Sequence, residues 1–125
     1  MRRSDQRRDA AFALFQRQVT GRPLDELLAD AKPFTRELAL GAADHLEELD
    51  AEIGRLSQGW SLERIAPLEL SIMRIALYEV RFRDDIPAEV ALDEAVSFAK
   101  RYCGAEAPGF VNGILGAAVR EGTTA

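Results

Sequence analysis

Apolar residues return every three or four positions along almost the whole chain, and nowhere in sustained alternation. That period puts them on one stripe of an α-helix, so the chain has to fold by packing helices against one another. The clearest stretch is Leu92, Ala95, Val96, Ala99 and Cys103, which share one helix face. Ala11, Phe12, Leu14, Phe15 and Val19 form the same stripe over 4–19, with Ser4 the expected N-cap and Asp5 favourable in the first turn. Gly21 and Pro23 end that helix and start a short one over 23–28, which Pro33 breaks. A single long helix is expected over 34–56, on Leu38, Ala42, Leu46, Leu49, Ile53 and Leu56. After the Ser57-Gln58-Gly59 break, a short helical turn is expected over 62–65. Pro67 opens a helix with an inner face of Leu68, Ile72, Ile75, Ala76 and Val80. Loops follow over 84–87 and 104–109, and the last helix turns Phe110, Val111, Ile114, Leu115 and Ala118 inward before ending near Gly122. The expectation is an all-α protein, one domain over 1–125, with no internal repeat and no linker.

A length of 125 residues, 47% of them hydrophobic and 30% charged, supports a real core without covalent staples. No apolar run approaches the roughly 20 residues of a membrane span. Gln16 and Arg17 interrupt the apolar stretch near the N-terminus, so no signal peptide is expected. Cys103 is the only cysteine, which excludes an intrachain disulfide and makes a cytoplasmic setting the expectation. His45 is the only histidine, so a zinc site would have to lean on carboxylates, and no metal is expected. Cys103 and His45 fall in separate helices with nothing to make them a nucleophile pair. No phosphate-binding glycine loop is present. The carboxylates scatter over amphipathic segments, where a solvated face accounts for them. Neither catalysis nor a cofactor is expected.

Charge is unevenly placed. Arg2, Arg3, Arg7 and Arg8 crowd the first eight residues of a chain whose formal net charge is −5. Arg3 and Arg7 project along nearly the same direction, and Arg8 points nearer the apolar stripe. Positive charge at a helix N-terminus opposes the macrodipole by a few tenths of a kcal/mol. A nucleic-acid contact and a merely solvated helix end both stay open on this ground alone. Residues 24–55 carry nine acidic side chains against Lys32, Arg36 and Arg55. Lys100 and Arg101 make a second basic spot. An acidic body repels a phosphate backbone, so binding would have to be confined to a small patch or helped by a partner.

The stretch RIALYEVRFRDDIPAEVALDEAVSFAKRYCGAEAPGFVNGIL, Arg74 to Leu115, resembles the C-terminal half of the NusB family of transcription antitermination factors. The family pattern runs LR-apolar-A-x-YE, then IP-x-x-V-A-apolar-N-E-A, then FVNG-apolar-L. Arg7, Ala10, Leu14 and Phe15 resemble its first helix, and Trp60 and Arg64 fit the tryptophan and arginine that precede the block. The resemblance implies about seven helices arranged as two packed three-helix subbundles. It implies binding of boxA RNA with the ribosomal protein NusE, within an RNA polymerase antitermination complex on ribosomal RNA operons.

Carried over residue by residue, the resemblance implies RNA contacts at Arg2, Arg3, Arg7, Lys100, Arg101 and Phe110, with Glu106 moderating affinity. It implies a partner face at Phe15, Glu63 and Glu69. Ser4, Gly109 and Asp93 depart from the pattern, in which an arginine is usual near the first, a lysine can occupy the second and asparagine is common at the third. Asp93 is expected to pack locally, Asn112 to be hydrogen-bonded inside, and Cys103 to be a small buried hydrophobe. Arg74 and Glu79 are expected to be structural, paired with each other on the surface or holding the two halves together. Two other functions stay open. One is an RNA-binding module like the N-terminal part of ribosomal RNA cytosine methyltransferases. The other is a homodimer that masks its own RNA surface. No methyl-donor site or catalytic cysteine motif supports the first.

Overall fold

In the computed structural model, which describes residues 1–122, helix follows helix without a strand among the described residues. The helices are α1 (Arg3–Thr20), α2 (Leu24–Leu27), α3 (Pro33–Asp44), α4 (Leu46–Leu56), α5 (Pro67–Phe82), α6 (Ala88–Tyr102) and α7 (Ala107–Gly122), with a 3-10 turn at Leu62–Arg64. The last three positions of the expected 1–125 domain lie outside the described residues. α1, α2 and α3 pack together, and so do α5, α6 and α7. α4 leans on α5 and α7, while α5 also packs on α1 and α3 and so joins the two halves.

Five local expectations are corrected. The long helix over 34–56 is two helices meeting at His45, whose φ of −113° and ψ of 21° bend the chain. The apolar steps run unbroken across the bend, and the His45 N–H still bonds the Gly41 carbonyl at 3.2 Å, so periodicity carries no trace of it. Ser4 does not cap α1. It sits inside the first turn, and its Oγ donates to Glu94 Oε1 at 2.7 Å, tying α1 to α6. α7 begins at Ala107, because a proline at position 108 suits a first helical turn. Asn112 and Asp93 are exposed rather than packed inside.

α5 differs most from its sequence reading. Leu68 and Val80 are only half-buried, whereas Leu70, Met73, Arg74, Leu77 and Glu79 are buried along with Ile72, Ile75 and Ala76. The helix is buried on nearly all sides, so its polar groups need internal partners. Arg74 and Glu79 are structural, but they do not pair with each other. Arg74 donates twice to Asp50 of α4, at 2.7 and 2.8 Å, and once to Gln18 of α1 at 3.0 Å. Glu79 accepts from Arg7 Nε of α1 at 2.8 Å. Arg81 pairs with Glu52 of α4 and donates to the Ala118 carbonyl of α7 at 3.1 Å. No buried side-chain N or O atom lacks a partner among the described residues. Tyr78 lies directly over Gly41, where a Cβ would run into its ring.

Removing Arg7 would strand Glu79, which is 1% exposed, without its counter-charge. Arg7→Ala is therefore expected to lose about 3–5 kcal/mol of stability in urea denaturation, and joint Arg7→Met/Glu79→Leu to regain most of it. Arg3→Ala, at an exposed position, should lose no more than about 1 kcal/mol.

Candidate nucleic-acid interface

The α1 arginines share one ring and divide their roles. The guanidinium carbons of Arg3, Arg7 and Arg83 lie 4.2, 5.3 and 5.6 Å from the Phe34 ring centroid. Arg7 and Arg83 are neutralised, the first by Glu79 and, at 3.6 Å, Glu94, the second by Glu37 and Asp85. Arg3 is exposed and has no ion pair within 4.0 Å among the described residues. The shared direction of Arg3 and Arg7 along the helix is therefore present, but their environments differ. Arg7 is committed to the interior, because the buried carboxylate of Glu79 requires it; Arg3 alone of the two is free for a phosphate. Arg2 is exposed, with a loose 3.6 Å contact to Asp5.

A groove of about 530 Å³ runs between the start of α1 and α6, over α5. Ile72, Ile75 and Ala76 line it below, and Arg2, Arg8 and Arg101 line it from the two sides alongside the carboxylates of Asp5, Asp93 and Glu94. Arg101 lies 5.6 Å from the Tyr102 ring, and Tyr102 packs edge-on against Phe12 at 5.5 Å. The two basic spots seen in sequence thus meet at one groove, through Arg2 and Arg101. Lys100 is exposed on α6 but does not line it.

A smaller hollow of about 160 Å³ sits where α5 starts and α7 starts. Glu69, Glu106 and Phe110 line it, together with Trp60 and Arg64. Glu69 is one turn before Ile72, so hollow and groove follow one another along α5. Phe110 is half-buried and meets Trp60 at 6.1 Å, near edge-on. Burial pushes the Glu69 carboxyl above the ordinary carboxylate range. Burial, and then the Glu69 charge, pushes the half-buried Cys103 thiol up. The structure therefore puts Glu69, expected on the partner face, beside Glu106 and Phe110, expected on the RNA face. Phe15 is half-buried on α1 and Glu63 exposed on the 3-10 turn, and neither lines groove or hollow. Tyr102, 40% exposed, was not singled out from sequence as a contact. Its aromatic ring at the end of an amphipathic helix reads equally as packing.

Among the described residues no group of three metal-ligating side chains converges. No helix among them is long and apolar enough to cross a membrane.

The sequence profile of the NusB family matches residues 4–120. This chain belongs to the NusB family. It is 40% identical over 121 residues to the transcription antitermination protein NusB of Geobacillus kaustophilus, covering 92% of this chain and 93% of that one. The NusB of Syntrophotalea carbinolica is 46% identical over 105 residues, covering 81% of this chain and 67% of that one. The solved structure of T. maritima NusB superposes with a TM-score of 0.89 at 32% identity, covering 97% of this chain and 92% of that one. NusB in a crystal structure of antitermination factors NusB and NusE with double-stranded RNA gives 0.83 at 26%, covering 97% and 99%. Two halves of three helices, joined through α5 and supplemented by α4, are thus the architecture of a NusB-family protein.

The closeness of Glu69 to Cys103 is open to a chemical check. Cys103 should be alkylated by iodoacetamide more slowly than a free cysteine at the same pH. Glu69→Gln should speed the reaction by removing the neighbouring charge. A rate unchanged by Glu69→Gln would separate the two groups.

Proposed function

We propose that this NusB-family chain, with 1–125 as its domain, is a cytoplasmic transcription antitermination factor that binds boxA RNA together with NusE. In this reading the pair joins an RNA polymerase elongation complex, notably on ribosomal RNA operons. The protein acts by binding and does no chemistry. The observation that carries the reading is the likeness, over 97% of this chain, to NusB held with NusE and RNA. The unpaired Arg3 guanidinium supports it from the residues upward, as does the meeting of Arg2 and Arg101 at one groove. The relatives compared above are antitermination proteins, which favours this reading over a methyltransferase module.

On the RNA side, exposed Arg2, Arg3, Lys100 and Arg101 supply charge, and Phe110 supplies a stacking edge. Glu106 opposes phosphate and limits affinity. Arg7 serves indirectly, by holding the first turn of α1 against α5. On the partner side, Phe15, Glu63 and Glu69 face NusE, with Glu69 at the junction of the two surfaces. A net charge of −5 leaves the rest of the surface repulsive to RNA, so affinity should be low alone and rise with NusE.

If about four phosphates are neutralised, log K should fall against log salt with a slope of roughly −3 for single strands. Arg3→Ala/Arg101→Ala should weaken boxA binding in the presence of NusE and bring the slope roughly 1.4 closer to zero, two contacts at about 0.7 each. Fluorescence anisotropy of labelled RNA measures both. Unchanged affinity and slope in the double variant would remove the start of α1 and the end of α6 from the site.

A further inference from the structure

The hollow between the starts of α5 and α7 holds groups that the proposed contacts leave unused. Trp60 is 53% exposed, in a protein whose other large aromatics are mostly packed. Its loop is built rather than loose. Gln58 and Gly59 both take positive φ, 51° and 98°, and a non-glycine residue in that region carries strain. The buried Ser57 hydroxyl bridges the Gly54 and Trp60 carbonyls at 3.0 and 2.9 Å. Phe110 packs against the indole nearly edge-on, with an interplanar angle of 64°. Such a contact holds an indole in place while leaving a flat face uncovered. Arg64 is exposed, has no ion pair within 4.0 Å among the described residues, and is the one cation lining the hollow. Glu69 and Glu106 line it too, and both repel a phosphate.

We infer that this hollow seats one unstacked base of a single-stranded RNA, with Trp60 as the stacking platform and Arg64 holding the adjoining phosphate. The assignment rests on the RNA-binding reading above and adds two residues to it. Three features favour a nucleotide over an apolar peptide as the occupant. The hollow is continuous with Phe110, the aromatic edge of the proposed RNA surface. Its two carboxylates are poor neighbours for a purely apolar side chain, but they accept hydrogen bonds from exocyclic amino groups of bases. Its single unpaired guanidinium complements one phosphate. The carboxylates then set the orientation: the base enters between them and the ring, and the phosphate is left to Arg64.

Trp60 is the only tryptophan, so its fluorescence reports the stacking directly. The full chain with NusE is titrated with boxA RNA, following indole emission and the anisotropy of labelled RNA in parallel. Quenching should saturate with the same midpoint as the anisotropy. Trp60→Ala should weaken binding roughly tenfold or more with an unchanged salt slope, and Trp60→Phe should recover most of it. Arg64→Ala should instead move the slope by about 0.7. Circular dichroism checks that each variant is folded. RNA binding without quenching, or with Trp60→Ala binding like the parent, overturns this inference and leaves the RNA-binding reading standing. A parent protein that binds no RNA even with NusE overturns both.

Discussion

The fold depends on one helix that is buried nearly all round and still carries charge. α5 turns Arg74 and Glu79 into the interior and Arg81 into a half-buried position, and each is matched by groups on the neighbouring helices. Apolar packing alone would let the surrounding helices slide or rotate at modest cost. A bidentate guanidinium–carboxylate pair does not, because any shift leaves a desolvated charge without its partner. Arg74 thereby sets α4 and α1, Glu79 sets the first turns of α1, and Arg81 sets α4 and α7. Ser4 and Arg7 also reach Glu94 of α6, which places the start of α1 against α6 and makes the groove.

The same ties sort the basic residues by role. Arg3 and Arg7 are one turn apart and both lie over Phe34, yet only Arg7 has a buried acid to neutralise. The charge at the start of α1 is thus divided between a part that holds the helix and a part that faces outward. On a protein with a net charge of −5, a few unpaired guanidinium groups along one edge make a local attraction within a repulsive field. That arrangement favours a ligand which is anionic at defined points and is helped into place by a second protein.

Much of this was legible in the residues. Helix content, the prolines that open helices, and the two basic spots follow from local chemistry, since period and breaker positions survive whatever the tertiary packing. The bend at His45 was not legible, because the apolar stripe continues through it. The burial of α5 was hidden because a helix surrounded by others still shows a strongest face, and its polar residues read as surface. The partners of Arg74 and Glu79 are 24 and 72 positions away, and no local pattern encodes a contact at that separation. Phe110 and Glu106 could be assigned from family motifs. Trp60 and Arg64 matched the family motif too, but only the fold sets them beside that pair.

The proposed RNA surface runs from the first turn of α1, past the end of α6, to the start of α7. Amide chemical-shift mapping with isotope-labelled protein, NusE and boxA RNA tests it most directly. Shifts that appear only when RNA is added to the protein pair should cluster at residues 2–4, 100–106 and 109–111, with little change along the acidic α4. RNA-dependent shifts centred on α4, or scattered without a contiguous patch, would contradict it.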